Sequence, residues 1–186
     1  MCCLKELLKS NNFTALLQGG EINSLLGSQE DADTLINAYK QLLVEEYTPF
    51  LLYNLGICYN TFSNYGPDYK NCAIEYIVRA ANFQNGDNNT DESILLAQFF
   101  LGDLIYNNAI AFLSDSKLKE EELSKAFTWF QKAAKLPAAQ YCLGWCYYFG
   151  MGIDEDKEKG IALIRDSANS GDIHALNFLK WHKICL

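Results

Sequence analysis

His174 and His182, the two histidines of the chain, stand eight residues apart, with Cys185 the one nearby thiol and no acid spaced to complete a metal site. A surface or helix-end role is expected for both. Cys142 and Cys146 share a helix face at a four-residue spacing that would suit a soft metal. The full cysteine set (Cys2, Cys3, Cys58, Cys72, Cys142, Cys146 and Cys185) is odd in number and has no Cys-x-x-Cys pair. That pattern fits neither a closed disulfide framework nor a zinc ribbon, and predicts reduced, mostly buried thiols. Carboxylates cluster at Glu120–Glu122 and Asp154–Asp156, in expected turns or helix starts where negative charge complements the helix dipole. They read as solvated, and no acid–base pair can be built from them. Gly150-Met151-Gly152 would suit a phosphate loop, but no strand precedes it and no Gly-Lys-Ser or Gly-Lys-Thr follows; a structural turn is expected. With every candidate constellation incomplete, no enzymatic activity, no metal and no cofactor is expected.

The elements that carry these residues read as helices. Prolines occur only at 49, 67 and 137, and no long alternating apolar and polar run indicates a strand. From about Asp31 to Tyr47, Ala32, Leu35, Ile36, Tyr39, Leu42 and Leu43 recur at three- and four-residue intervals to give one apolar face. Ser28 and Asp31 have the spacing of a capping box.

A short phrase recurs three times: Leu55-Gly56-Ile57-Cys58-Tyr59, Leu101-Gly102-Asp103-Leu104-Ile105 and Leu143-Gly144-Trp145-Cys146-Tyr147, with the glycines 46 and 42 residues apart. Each is followed by a large residue ahead of two small ones: Tyr76 before Ala80-Ala81, Trp129 before Ala133-Ala134, Leu163 before Ser167-Ala168. Two helices per unit follow. Pro49 and Pro137 both precede their repeat glycine by seven residues, an offset that suits the first turn of a helix. The glycine on one helix and the paired small residues on the other let the axes approach closely. Cys146 occupies the repeat position of Cys58 and Leu104, which predicts packing rather than metal binding.

These phrases resemble the Sel-one-like repeat, a relative of the tetratricopeptide repeat with the pattern Ala-x-x-x-Leu-Gly-x-x-Tyr, a Gly-x-Gly turn, then Lys-Ala-x-x-Trp-x-x-x-Ala-Ala. The fullest copy uses Ala139, Leu143, Gly144, Tyr147, Gly150, Gly152, Asp154, Lys157 and Lys159. Lys125, Ala126, Trp129, Ala133 and Ala134 match the second half in the preceding unit. The resemblance covers roughly residues 49–180. It implies an all-α, right-handed alpha-alpha superhelix, or solenoid, of about three to four helix pairs. Residues 1–47 would form an N-terminal helical cap and 48–186 the repeat array, closed by a helix over Asp172–Leu186. The middle unit departs from the pattern, with Ile105 at the Tyr position and an extended stretch from Tyr106 to Leu123, and the last has Leu179-Lys180 in place of Leu-Gly. The secreted, cysteine-rich branch of the family places cysteines at positions held here by Ala81, Ala134 and Ala168, so its disulfides are not carried over.

At about 100° per residue, the positions three before, one after and four after each repeat glycine fall on one stripe away from the consensus core. They are Tyr53, Ile57 and Asn60; Phe99, Asp103 and Tyr106; Tyr141, Trp145 and Tyr148; and, in the terminal helix, Asn177, Trp181 and Ile184. First helices of such arrays resemble those lining the concave surface of tetratricopeptide proteins. Tyr53, Phe99, Asp103, Tyr106, Tyr141, Trp145, Tyr148 and Trp181 are therefore the expected partner-binding residues, forming an aromatic groove for a peptide or a partner helix. The alternative is that the stripe packs on a neighbouring helix pair.

The net charge of −8, from fifteen Lys and Arg against twenty-three Asp and Glu, disfavours nucleic acid and anionic membranes and favours a protein partner with a basic or neutral surface. The start, Met1-Cys2-Cys3-Leu4-Lys5-Glu6, lacks the order of a signal peptide, and no apolar stretch is expected to reach the length that crosses a bilayer. A cytoplasmic location follows as the expectation. An adaptor or scaffold is the favoured function. An immunity or inhibitor protein that blocks a basic toxin or enzyme, and a secreted effector acting on host proteins, remain open alternatives; the same aromatics would equally serve self-association.

Overall fold

The computed structural model describes residues 28–84 and 91–185 and contains, among them, eight α-helices and no strand. They are α1 (Gln29–Glu45), α2 (Pro49–Thr61), α3 (Pro67–Ala81), α4 (Glu92–Phe112), α5 (Ser116–Lys132), α6 (Pro137–Phe149), α7 (Lys157–Asn169) and α8 (Ile173–Trp181). A short 3₁₀ turn, Ser63–Tyr65, precedes α3. The expected N-terminal cap lies in large part outside the described residues; α1 is its described portion. The chain divides into two compact units, residues 1–97 and 98–186, with the boundary inside α4.

In the first unit, α1 starts as its sequence demands. The Ser28 hydroxyl accepts from the Asp31 amide at 3.2 Å and donates to the Asp31 carboxylate at 2.7 Å, satisfying an orphan donor of the first turn. Ala32, Leu35, Ile36, Tyr39 and Leu42 are buried on one face. Helix α2 begins at Pro49, capped by Thr48, and pairs with α3, where Tyr59 stacks on Tyr76 at 5.7 Å and 8°.

Every residue of α2 from Leu51 to Tyr59 is buried, and this corrects one expectation. Tyr53 and Ile57 are each only 4% exposed, so this part of the stripe lines no accessible groove. The physical reason is compositional: α2 has no charged residue and therefore no face that solvent must cover.

The second unit holds the other two pairs, α4–α5 and α6–α7, followed by α8. Pro137 opens α6, the αL residue Gly150 ends it with its amide bonded to the Cys146 carbonyl, and Asp156 caps α7. The repeat glycines do permit close approach, but their partners are large. A Cβ on Gly56, Gly102 or Gly144 would lie 2.7, 2.7 or 2.6 Å from a side-chain atom of Ile77, Phe130 or Ile164 respectively. Each of these stands one helical turn before the small pair. The first member of each pair, Ala80, Ala133 or Ser167, is 0% exposed.

Ser167 adds a polar tie at that position. Its hydroxyl donates to the Pro137 carbonyl at 2.7 Å, fastening the end of α7 to the start of α6. Ser167→Ala would leave that acceptor without the bond inside the core, at a cost of about 1–2 kcal/mol. Thermal unfolding followed by circular dichroism should show the midpoint lowered by roughly 2–8 °C; an unchanged midpoint would remove the bond from the account of stability.

The extended middle stretch has a simple form: α4 runs for 21 residues, against 13 for α2 and α6, and Asp115 then caps α5. It also corrects the expectation that no apolar stretch reaches membrane-spanning length. Among the described residues α4 is long and apolar enough to cross a membrane by length and composition. Its polar residues (Glu92, Ser93, Gln98, Asp103, Asn107 and Asn108) are few and separated by runs of Ile, Leu, Phe and Ala, so the helix as a whole stays apolar. In this fold part of that apolar surface has a protein partner, since Gly102 packs on Phe130 and on the Ala126 carbonyl.

Candidate functional site

Within the second unit, α4, α5 and α6 enclose a cavity of about 200 Å³ lined by Asp103, Tyr106 and Asn107 from α4, Phe130 from α5, and Tyr141, Cys142, Trp145 and Cys146 from α6. The repeat places the two first helices so that part of the stripe on α4 faces part of the stripe on α6. The Trp145 indole N–H donates to the Tyr106 hydroxyl at 2.9 Å, joining the position after one repeat glycine to the position four after the other. Tyr141 lies 6.1 Å from Trp145 on the same helix, and Phe130 sits 6.5 Å from Tyr106. The indole is braced from behind by Phe149 at 4.5 Å and Phe178 at 5.9 Å.

The titratable groups of the cavity have displaced equilibria. Burial raises the Asp103 carboxyl above its ordinary value, partly countered by a hydrogen bond from Asn107. Among the described residues no lysine or arginine forms an ion pair with Asp103. Burial pushes the Cys146 thiol up to about 12 and raises Cys142 further, with Cys146 and Asp103 adding to the effect. Neither thiol is a nucleophile at neutral pH. Cys146 is 1% exposed and packs with Ala126, Phe127, Phe130 and Leu143, in keeping with its expected packing role. No group of three or more metal-binding side chains converges among the described residues.

The eight expected partner-binding residues therefore separate. Asp103, Tyr106, Tyr141 and Trp145 meet around the cavity. Phe99 packs on Phe130 at 6.0 Å, behind the cavity wall. Tyr148 turns to α8, edge-on to Phe178 at 5.2 Å and to His182 at 5.5 Å, as the packing alternative for the stripe had it. Trp181 is 85% exposed and outside the cavity lining, and Tyr53 is buried in the first unit. The histidines sit against rings, His174 on Tyr141 and His182 on Phe178. Asn107, Phe130, Cys142 and Cys146 also line the cavity and were missed as site residues. Asn107 follows Asp103 by four residues on one helix face, a signal that was available; Phe130 lies on a second helix, and only the tertiary structure brings it here.

A second, open groove runs between α5 and the α6–α7 turn, lined by Lys117, Glu120, Glu121 and Ser124 and by Phe149, Gly150, Gly152, Ile153, Asp154 and Glu155. It gathers the two carboxylate clusters of the sequence onto one surface. The turn itself is structural, with Gly150 at φ 65° and Gly152 at φ 71°.

No protein-family model and no curated protein sequence matches the chain. Among solved structures it is similar to a Sel1 repeat protein from Oxalobacter formigenes, with a TM-score of 0.55 and 23% identity over 91% of this chain and 43% of that one. The chain thus spans less than half the length of that neighbour. The likeness concerns the fold: the chain has the all-α Sel1-like repeat fold.

Proposed function

We propose that this Sel1-like repeat chain is a protein-binding module, and that the cavity between α4 and α6 is where a partner's side chain anchors. The observation that carries the reading is the Tyr106–Trp145 hydrogen bond, which holds two large aromatic side chains ready on adjacent first helices. Rigid aromatic walls give contact area with few rotors left to freeze, which is the character of interface hot spots. The cavity, at about 200 Å³, is smaller than the roughly 300–1,000 Å³ of sites for drug-sized molecules, so a single side chain suits it better than a cofactor. Catalysis is not part of the proposal, since the cavity offers no activated nucleophile. Buried, unpaired thiols at Cys58 and Cys146 favour action in a reducing compartment, as in the cytoplasm.

Site-specific photo-crosslinking tests this. A photoreactive residue at Asn107, exposed on the cavity rim, should crosslink to a defined partner protein in cells that express the chain. The same residue at Thr128, exposed on α5 and outside the cavity, should not. Equal crosslinking from both positions, or none from Asn107, would contradict the reading.

A further inference from the structure

We propose that the cavity receives a cationic side chain, arginine or lysine, of the partner, held by the Asp103 carboxylate and by the ring faces of Tyr106, Tyr141 and Trp145. This rests on the protein-binding reading and adds the chemistry of the ligand.

The first argument is a contrast within the same unit. Trp129, Tyr147 and Tyr148 are each covered by a lysine of the chain itself: Lys132 at 3.8 Å, Lys159 at 4.1 Å and Lys157 at 5.9 Å from the ring centroids. No such cation lies over Tyr106, Tyr141 or Trp145 among the described residues. Cations are attracted to ring faces within about 6 Å, and here the faces are assembled without one.

The second argument is charge. Asp103 sits at the rim with Asn107 as its neutral partner. A neutral apolar side chain would desolvate that carboxylate with nothing in return, and an anion would be repelled by it. A guanidinium or ammonium instead meets an acceptor at the rim, the Tyr106 hydroxyl oxygen inside, and aromatic faces along its stem. The surroundings agree in sign. Phe149, whose ring is 4.5 Å from Trp145, also lines the groove that carries Glu120, Glu121, Asp154 and Glu155 against Lys117 alone. The groove beside the cavity is thus also net acidic, which favours a basic partner segment over an acidic one.

The test uses the full chain, ¹⁵N-labelled, and capped pentapeptides Gly-Gly-X-Gly-Gly titrated to about 10 mM, a range that resolves weak single-side-chain binding. X is arginine or lysine, or their neutral counterparts citrulline and acetyl-lysine. The Trp145 indole N–H resonance, identified by its loss in Trp145→Phe, reports binding; Trp129 and Trp181 are internal controls. Arginine and lysine peptides should shift the Trp145 signal saturably, the neutral peptides should bind at least about tenfold more weakly, and Asp103→Asn should abolish that preference. The folded pKa of Asp103 is raised, so its contribution to stability is present below the unfolded pKa and lost as pH rises through the folded one. Asp103→Asn should accordingly melt no lower than wild type at pH 7, which makes it a folded control.

Equal binding of neutral and cationic peptides, an unaltered preference in Asp103→Asn, or no response to any cationic peptide would overturn the inference. The two proposals fail separately. Crosslinking from Asn107 without a cationic preference leaves the protein-binding reading standing and removes this one. A cationic preference without crosslinking makes the cavity a cation site and removes the protein partner.

Discussion

Replacing Gly152 with alanine is expected to destabilise the fold by about 2–5 kcal/mol, combining a left-handed conformation that costs an L-residue about 1–2 kcal/mol with overpacking worth about 1–3 kcal/mol. Gly152 is buried at φ 71°, and a Cβ there would stand 2.3 Å from the Leu123 carbonyl carbon, 2.5 Å from its oxygen and 2.5 Å from the Ser124 nitrogen. All three are backbone atoms of α5, which cannot swing aside as a side-chain tip can. Gly150 supplies the control. Its φ of 65° imposes the same conformational cost, yet its nearest neighbour would be the Glu155 Cβ at 3.4 Å, an ordinary contact. Gly150→Ala should lose only the first part, about 1–2 kcal/mol. In thermal unfolding followed at 222 nm, Gly152→Ala should melt well below Gly150→Ala, by roughly 3–10 °C. Equal midpoints would mean that the turn tolerates the added methyl and does not tie the α6–α7 connection to α5.

That pair of glycines also marks where sequence pattern stops and packing begins. Gly-x-Gly after an apolar helix announces a turn, and Pro49 and Pro137 announce helix starts, because both signals act on the local backbone. The backbone of α5 against Gly152 is a tertiary contact that no local pattern encodes. The same holds for the repeat glycines. Their spacing indicated close helix approach, but whether Gly56 meets a small pair or Ile77 depends on the axial offset between two helices, which sequence spacing leaves free. The length of α4 was obscured for a local reason: Asn107-Asn108 resembles a loop, while the apolar residues beyond it carry the helix on to Phe112.

Much the same division runs through the site. Helical geometry grouped Tyr106, Tyr141 and Trp145 by their offsets from the repeat glycines, and the structure brings them together. Geometry of one helix also grouped Tyr53 with them, and Tyr53 is buried. A helical angle tells which residues share a face; it does not tell what else packs on that face. Tyr148 turned to α8 and Trp181 was left in solvent for that reason. The polar component, Asp103 with Asn107 at the rim, follows a four-residue spacing on one face and was half legible. Phe130, from the second helix of its pair, was not.

The most direct test of the cavity as the binding site is the affinity of the partner recovered by crosslinking at Asn107, measured with purified proteins for wild type, Trp145→Ala and Trp129→Ala. Trp145 carries the hydrogen bond to Tyr106 and one wall of the cavity. Its truncation removes both, and loss of a central aromatic anchor costs at least about 2 kcal/mol, or roughly thirtyfold in Kd. Because Trp145 also packs on Phe149 and Phe178, the variant is to be measured at a temperature where circular dichroism gives wild-type helicity. Trp129, on α5 under Lys132 and outside the cavity, sets the comparison and should change Kd by less than about twofold. A thirtyfold loss confined to Trp145→Ala is the predicted result. A folded Trp145→Ala chain that binds its partner as tightly as wild type would contradict the account.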